Sequence, residues 1–230
     1  MAAVDKGLTS EIKVEPWSVV LGGLVAIGLA VTGFILGVGV GNKAGETQSF
    51  WYLSRSAGLV AYLLLWGSVV WGLLLSARPG GRLRPPALFD AHQFLSNIAL
   101  GFAFFHALVL IGDRYTSFPL AAILAPFAGT YKPMLVALGQ IALWLSLLLS
   151  LSFLVRRQMG QRRWRAFHYV SFVVFWMALL HSVAMGSDTN LLWVRWLYIG
   201  TGTSVALLTT YRLVQTSRRA PPTQQTYLPD

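Results

Sequence analysis

Long apolar runs separated by short polar or basic segments dominate the chain. A helix that crosses a bilayer needs about 20 predominantly apolar residues. Six runs meet this length, and they cover 17–40, 50–77, 88–112, 133–155, 165–186 and 190–214. The segment 113–132 mixes prolines and aromatic side chains, which predicts an interfacial hairpin or a short half-buried helix. The pattern as a whole predicts an all-α membrane protein built as a bundle of six transmembrane helices.

The six runs leave little of the chain for any soluble domain. Of the 230 residues 55% are apolar and only 11% are charged, a composition that excludes an ordinary soluble protein. We expect residues 1–16 to form a cytoplasmic N-terminal segment, 17–214 to form the transmembrane domain, and 215–230 to form a disordered cytoplasmic tail. Acidic residues precede a first run that is too long for a signal peptide, so we expect that run to be retained.

The basic residues indicate the orientation of the helices. With six spans both termini share one side, and thirteen of the eighteen Lys and Arg residues fall there. The other five are Lys43, Arg55, Arg114, Lys132 and Arg195. The positive-inside rule then places both termini in the cytoplasm, in a cell membrane that we expect to be a bacterial inner membrane. The same rule explains the net charge of +10 without nucleic acid as a partner.

Four histidines are the candidate metal ligands of this chain. It has no cysteine, which excludes disulfides, iron–sulfur clusters and covalently attached haem. His92 and His106 fall in the third run, and His168 and His181 fall in the fifth, which crosses in the same direction. A rise of about 1.5 Å per residue places His92 level with His168, and His106 level with His181 about 20 Å further on. Each level pair offers the two axial imidazoles of a six-coordinate haem iron, so two b-type haems are expected.

The spacing along the fifth run fits this interpretation less well than the spacing along the third. Fourteen residues leave His92 and His106 within about 40° of one stripe, whereas thirteen leave His168 and His181 about 140° apart on an ideal helix. The fifth helix must therefore twist, bend or cross obliquely. For a single intramembrane histidine, an interhelical hydrogen bond is an equally good explanation. Four histidines in two matched levels favour ligation.

Two arginines are candidates for binding haem propionates, because guanidinium pairs with carboxylate. Arg55 lies at the outer edge of the second run, where the alternative is that its side chain extends to the interface. Arg165 precedes His168 by three residues on the inner side, among several other arginines. No residue is singled out as catalytic.

These residues resemble the ferric reductase-like transmembrane domain that ferric reductases and NADPH oxidases share. The resemblance rests on the two histidine spacings, on Ser54-Arg55-Ser56, and on Arg162-Arg163-Trp164-Arg165-Ala166-Phe167-His168, and it covers about 50–214. It implies the pairing of His92 with His168 at an inner haem and of His106 with His181 at an outer haem. It also implies electron flow from a cytoplasmic donor to an acceptor at the outer face. The haem-binding membrane subunit of the bacterial methionine sulfoxide reductase system is similar from the Arg-Arg-Trp stretch to His181, but usually lacks a counterpart of His92.

The chain departs from ferric reductases at its C-terminus. It contains no Gly-x-Gly-x-x-Gly fingerprint and ends soon after the sixth run, so a flavin and nicotinamide domain is not expected. An oxidoreductase component of this kind needs a separate donor, either a flavin reductase or a quinol. Two alternatives stay open: a haem-bearing anchor that passes electrons from quinol to a periplasmic reductase, and a scaffold or carrier that uses its histidines for protons or hydrogen bonds.

Overall fold

The computed structural model of the protein describes residues 16–40, 49–77, 86–113 and 118–218. Within these ranges the regular structure is entirely helical. The helices are α1 (Pro16–Ile35), α2 (Ser49–Ala77), α3 (Pro86–Val109), α4 (Leu120–Leu124), α5 (Pro133–Ser152), α6 (Arg156–Met159), α7 (Gln161–His168), α8 (Val170–Met185) and α9 (Leu192–Arg218). The N-terminal segment before residue 16, most of the basic loop 78–87, Arg114, and the tail beyond residue 218 lie outside the described residues.

The prediction of an all-α membrane protein is confirmed. Five segments in the described ranges are long and apolar enough to cross a membrane: Val19–Gly39, Ser49–Ser76, Ala87–Gly112, Pro133–Ser152 and Gln161–Met185. The sixth predicted span corresponds to α9, which has 27 residues but is less apolar than the others. Its middle, residues 200–204, reads Gly-Thr-Gly-Thr-Ser. Tyr62 on α2 hydrogen-bonds Thr201 at 2.5 Å, so part of this polar stretch faces the neighbouring helix.

The helix ends differ from the predicted boundaries by a few residues. The first run ends in a π-helical turn, Leu36–Val40, and the third ends in a 3-10 turn, Leu110–Gly112. Helix α5 stops at Ser152 rather than at 155, and α9 continues to Arg218 rather than ending at 214. The short helix expected in the 113–132 segment is α4.

The predicted fifth helix is interrupted at Tyr169, between α7 and α8. Around this break the backbone makes hydrogen bonds to the third preceding residue, from Tyr169 to Ala166 and from Phe172 to Tyr169. Such 3-10 geometry turns the chain by about 120° per residue instead of about 100°. Each step therefore adds rotation in the direction that brings His168 and His181 toward a common side. Two such steps supply about 40° of the roughly 140° that the thirteen-residue spacing requires, so the break accounts for part of it.

The helices form two walls around a central space. One wall consists of α2 and α3, which pack together with α1 behind α3, and the other consists of α5 and α8. Helix α1 approaches α3 closely at glycine: a Cβ at Gly33 would lie 2.9 Å from the Cα of Phe105. Helices α2, α8 and α9 share a buried cluster that contains Leu73, Phe175 and Val205. The four histidines lie on α3, α7 and α8, and they face this central space.

Candidate functional site

The structure brings the four histidines together in two pairs. The ring centroids of His92 and His168 are 6.2 Å apart, and those of His106 and His181 are 6.4 Å apart. The ring planes within the pairs are inclined by 72° and 77°. We name His92 with His168 the inner pair and His106 with His181 the outer pair, after the predicted orientation. These are the same pairs that the positions of the histidines along the third and fifth runs predict.

The distance within each pair suits two imidazoles that bind one metal from opposite sides. A ligating imidazole nitrogen lies about 2 Å from its metal and about 1.1 Å from the centre of its own ring. Two such rings in line place their centroids about 6.3 Å apart. Both observed distances lie within about 0.1 Å of this value. A direct hydrogen bond between the rings would bring them closer than this.

Hydrogen bonds fix the tautomer of both outer histidines. The Nδ1 atom of His106 lies 2.7 Å from the backbone carbonyl of Ser54, and Nδ1 of His181 lies 2.7 Å from that of Leu135. A carbonyl oxygen only accepts, so each Nδ1 carries the proton and donates it. This leaves Nε2 of each ring with a free lone pair, which is the form in which histidine binds a metal.

The inner histidine His92 takes part in a closed chain of hydrogen bonds. Ser96 donates its hydroxyl proton to the backbone carbonyl of His92 at 2.8 Å. Ser68 and Ser96 are 2.7 Å apart, so Ser68 must donate to Ser96, whose single proton is already used. The Ser68 oxygen then accepts from Nδ1 of His92 at 3.3 Å. This arrangement also leaves Nε2 of His92 free.

His168 is held mainly by an aromatic neighbour. The indole of Trp164, one turn earlier on α7, stacks on the His168 ring at 5.1 Å with the planes inclined by 25°. Trp164 also contacts Phe153 near the end of α5, which connects this corner of the site to the neighbouring helix of the same wall. Stacking restrains the orientation of a ring without involving its nitrogens, and within the described ranges no hydrogen bond reaches either nitrogen of His168.

Glycines make room for three of the four rings. A Cβ at Gly58 would lie 2.8 Å from Nδ1 of His106, and one at Gly139 would lie 2.8 to 2.9 Å from three atoms of His181. A Cβ at Gly72 would lie 3.2 Å from Cε1 of His92. Since contacts below 3.0 Å do not occur for real Cβ atoms, any larger residue at Gly58 or Gly139 must displace the histidine. Sequence reasoning missed these glycines.

A motif that occurs twice on α2 supplies contacts to two of the four histidines. Ser54 and Gly58 contact His106, and Ser68 and Gly72 contact His92. Both motifs have the form Ser-x-x-x-Gly, and they are fourteen residues apart, like the two histidines of α3. Helices α2 and α3 run in opposite directions, so the first motif meets the second histidine. The shared fourteen-residue period is the signal in the sequence that could have identified these residues.

A single cavity of about 1780 Å³ connects the two pairs and is lined by all four histidines. Between the levels its lining is made of small and apolar residues such as Ala99, Ala103, Val174 and Ala178. Sites for one small molecule usually enclose about 300–1,000 Å³. The cavity is therefore large enough for two flat macrocycles that stand one above the other.

The donor set fits haem better than it fits a bare metal ion. A protein-bound zinc ion takes three or four side-chain ligands. Among the described residues no group of three or more His, Cys, Asp or Glu side chains is close enough to hold a metal. Each level instead offers two imidazoles, which is the number of axial positions that a porphyrin leaves on its iron. The pair distances, the free nitrogens and the cavity all agree with this ligand.

The two candidate propionate partners lie at opposite ends of the cavity. Arg55 lines its outer end and forms an ion pair with Asp188, in the segment between α8 and α9. Arg165 is exposed and lines the inner end, together with Arg156, Arg157 and Arg212. The ion partner of Arg55 was not anticipated, because Asp188 is 133 positions away in the sequence. Both arginines are placed where a carboxylate on a cavity-bound ligand could reach them.

Comparison with known proteins gives a family but no activity. A family model described as a domain of unknown function, DUF8596, matches residues 49–188, which begin with α2 and include all four histidines. No curated protein and no solved structure matches the chain.

Proposed function

The chain belongs to the DUF8596 family of domains of unknown function, and we propose that it carries electrons across a membrane through two stacked b-type haems. The observation that carries the proposal is the pair of matched imidazole distances, 6.2 and 6.4 Å, in one continuous cavity. The resemblance of the histidine spacings to ferric reductase-like domains supports it. A haem iron accepts and releases one electron at a time as it cycles between its ferric and ferrous forms.

The residues of the chain have separate tasks in this proposal. His92 and His168 would hold the inner haem, and His106 and His181 would hold the outer haem. Hydrogen bonds orient three of the rings, and their acceptors are the carbonyls of Ser54 and Leu135 and the hydroxyl of Ser68. Glycines let the same three rings lie close to α2 and α5, at positions 58, 72 and 139. Small and apolar side chains such as Ala99 and Ala178 line the space between the levels. Each electron that enters from the donor leaves to the acceptor, so the protein returns to its starting state.

We place six spans in the membrane, with α9 as the sixth and both termini in the cytoplasm. The 27 residues of α9 extend about 40 Å, more than the thickness of the hydrocarbon core. Its polar side chains Thr201 and Ser204 are satisfied by Tyr62 and Trp66 of α2, at 2.5 and 2.9 Å, so they need not contact lipid. With α9 as a span, the excess of Lys and Arg on the side of the termini sets the orientation in a bacterial inner membrane.

The direction of electron flow follows from this orientation. The donor is a separate cytoplasmic flavin reductase or a quinol, because the chain has no nucleotide-binding fingerprint. One-electron transfer oxidises that donor and reduces an acceptor at the outer face. The acceptor would approach near Lys132 and Tyr131, at the outer end of α5, where Tyr131 also lines the cavity.

Electron transfer across a sealed vesicle tests the proposal. Haem-loaded protein is reconstituted into liposomes that enclose ferricyanide, and a membrane-impermeant reductant is added outside. We expect ferricyanide reduction that depends on the protein and falls at least about tenfold in His106→Ala, because loss of one haem leaves a gap of about 20 Å. Haem-loaded protein that reduces nothing inside the vesicle would contradict a conduit and favour an anchor that delivers electrons on one side only.

Arg55 is proposed to bind a propionate of the outer haem. Its ion pair with Asp188 is partly exposed, so the pair alone contributes little to stability. We expect Arg55→Ala to weaken retention of the outer haem about tenfold during detergent washing, whereas Asp188→Asn retains it, because only the first change removes the cation. Equal losses in the two variants would show that the ion pair, and not a propionate contact, is what matters.

A further inference from the structure

We propose that the two levels are electronically unequal, so that the inner haem has the higher midpoint potential, and that Ser68 is a positioning residue that helps to set it. The inference rests on the proposed function, since it concerns the haems that the two pairs would bind. Two independent features of the described residues carry it: the hydrogen bonds that the histidine rings donate, and the charges at the two ends of the cavity.

Both outer histidines donate to strong acceptors at short distance. Nδ1 of His106 and Nδ1 of His181 each lie 2.7 Å from a backbone carbonyl, on α2 and α5 respectively. The two rings are thus polarised in the same way from opposite walls of the cavity. Gly58 and Gly139 permit this short distance, because a Cβ at either position would clash with the ring.

The inner histidines donate weakly by comparison. Nδ1 of His92 meets the Ser68 hydroxyl at 3.3 Å, and that oxygen already donates its own proton to Ser96. Among the described residues no hydrogen bond reaches the ring of His168, which stacks on Trp164 instead. In the inner pair, therefore, only His92 is hydrogen-bonded through its ring, to Ser68, whereas in the outer pair both rings donate to a backbone carbonyl at 2.7 Å.

A hydrogen bond donated by Nδ1 of an axial histidine changes the midpoint potential of the haem iron that the ring binds. An imidazole that donates its Nδ1 proton to a strong acceptor becomes more basic and gives more electron density to the metal at Nε2. Added electron density stabilises the ferric state over the ferrous state, which lowers the midpoint potential. The outer haem, with two such ligands, should therefore be the harder of the two to reduce.

The charges at the two ends of the cavity also favour a higher midpoint potential for the inner haem. Arg156, Arg157, Arg165 and Arg212 line the inner end of the cavity, and Arg212 donates to the hydroxyl of Tyr169, the residue after His168, at 3.3 Å. Positive charge favours the ferrous state, which carries one positive charge less, and so raises the inner potential. At the outer end the charge of Arg55 is offset by Asp188.

A difference between the midpoint potentials of the two haems affects outward electron transfer. An electron that moves outward passes from the haem with the higher midpoint potential to the haem with the lower one. A membrane potential that is negative inside favours the same movement of negative charge and offsets the difference. Outward transfer through this protein should then depend on the membrane potential.

A redox titration of the purified, haem-loaded protein tests the inference. We expect two one-electron components in the haem absorption of the wild type. His92→Ala should retain only the component with the lower midpoint, and His181→Ala only the component with the higher one. Equal midpoints, or the reverse assignment, overturn the inference although both haems are bound. A wild-type protein that binds no haem contradicts the proposed function instead, so the two failures are distinguishable.

Substitutions of Ser68 test its role. Ser68→Ala should raise the inner midpoint, seen as a roughly threefold to tenfold higher ferrous-to-ferric ratio at a fixed potential. Ser68→Thr keeps the hydroxyl and should restore the wild-type value. Ser56→Ala on the same helix is the matched control, since the Ser56 hydroxyl donates to the backbone carbonyl of Tyr52 on its own helix. An unchanged inner midpoint in Ser68→Ala would assign the contact to the Ser68 backbone, which also faces the ring, and would refute the role of the hydroxyl. If Ser68→Ala loses the inner haem, the two histidine variants still decide between equal and unequal levels.

Discussion

Replacing His106 by alanine is expected to leave the purified protein with about half of the wild-type haem. The alanine removes one axial ligand of the outer haem, and the remaining imidazole of His181 cannot hold it alone through purification. The inner pair lies about 20 Å away along α3 and makes its own hydrogen bonds, so its haem should be unaffected. The measurement is the haem-to-protein ratio from the absorption of the extracted haem.

The other level provides the matched control for this experiment. His92→Ala should also leave about half of the haem, and the double variant should leave almost none. His181→Ala should give the same spectrum as His106→Ala, because both remove the outer haem. Loss of all haem in either single variant, at normal protein yield, would contradict independent levels. Retention of all haem in both would exclude these histidines as ligands.

The largest effect away from the histidines is expected at Gly139. In Gly139→Ala the new Cβ would lie 2.8 to 2.9 Å from three atoms of the His181 ring, so the ring must move and lose its alignment with His106. We expect affinity for the outer haem to fall by at least about tenfold, as for other changes that disturb the orientation of a metal ligand. The inner haem should stay. The measurement is haem content after a wash with apomyoglobin, which takes up released haem.

Gly200→Ala is the matched control for this substitution. Gly200 also lies within a long helix, but a Cβ there would meet nothing within 4 Å. Alanine favours helix over glycine, so this variant should fold at least as well as the wild type and keep both haems. Equal haem loss in Gly139→Ala and Gly200→Ala would mean that substitution in any helix disturbs the site. Full haem retention in Gly139→Ala would show that the His181 ring does not need this space.

Much of the fold could be predicted because apolar length is a strong signal in a membrane protein. Five of the six predicted runs correspond to segments long and apolar enough to span. Helix α9 was harder to identify as a span. Its stretch from Thr201 to Ser204 lowers the hydropathy of the helix, although the hydroxyls of these two residues bond to α2. The same reasoning placed the histidines at matched levels, because α3 and the α7–α8 segment each carry two of them at similar spacings.

The surroundings of the histidines could not be predicted in the same way. Which residue of α2 faces His106 depends on the rotation of two helices about their axes, and hydropathy does not specify it. The break at Tyr169 supplies part of the rotation that the thirteen-residue spacing requires. It depends on local hydrogen bonds that the residue types in that stretch do not indicate. Gly139 lies among ordinary apolar residues of α5, and only the structure shows that His181 occupies the space above it. Helix rotation and local backbone geometry thus account for most of what was missed.

The electron paramagnetic resonance spectrum of the oxidised protein shows whether the four histidines bind two haems. Ferric haem with two imidazole ligands is low-spin, and rings turned toward perpendicular, as the 72° and 77° inclinations here, give a strongly anisotropic signal. We expect two such signals of equal intensity in the wild type, one of which is absent in His92→Ala and the other in His106→Ala. A spectrum of high-spin haem alone, or one without haem, would contradict it.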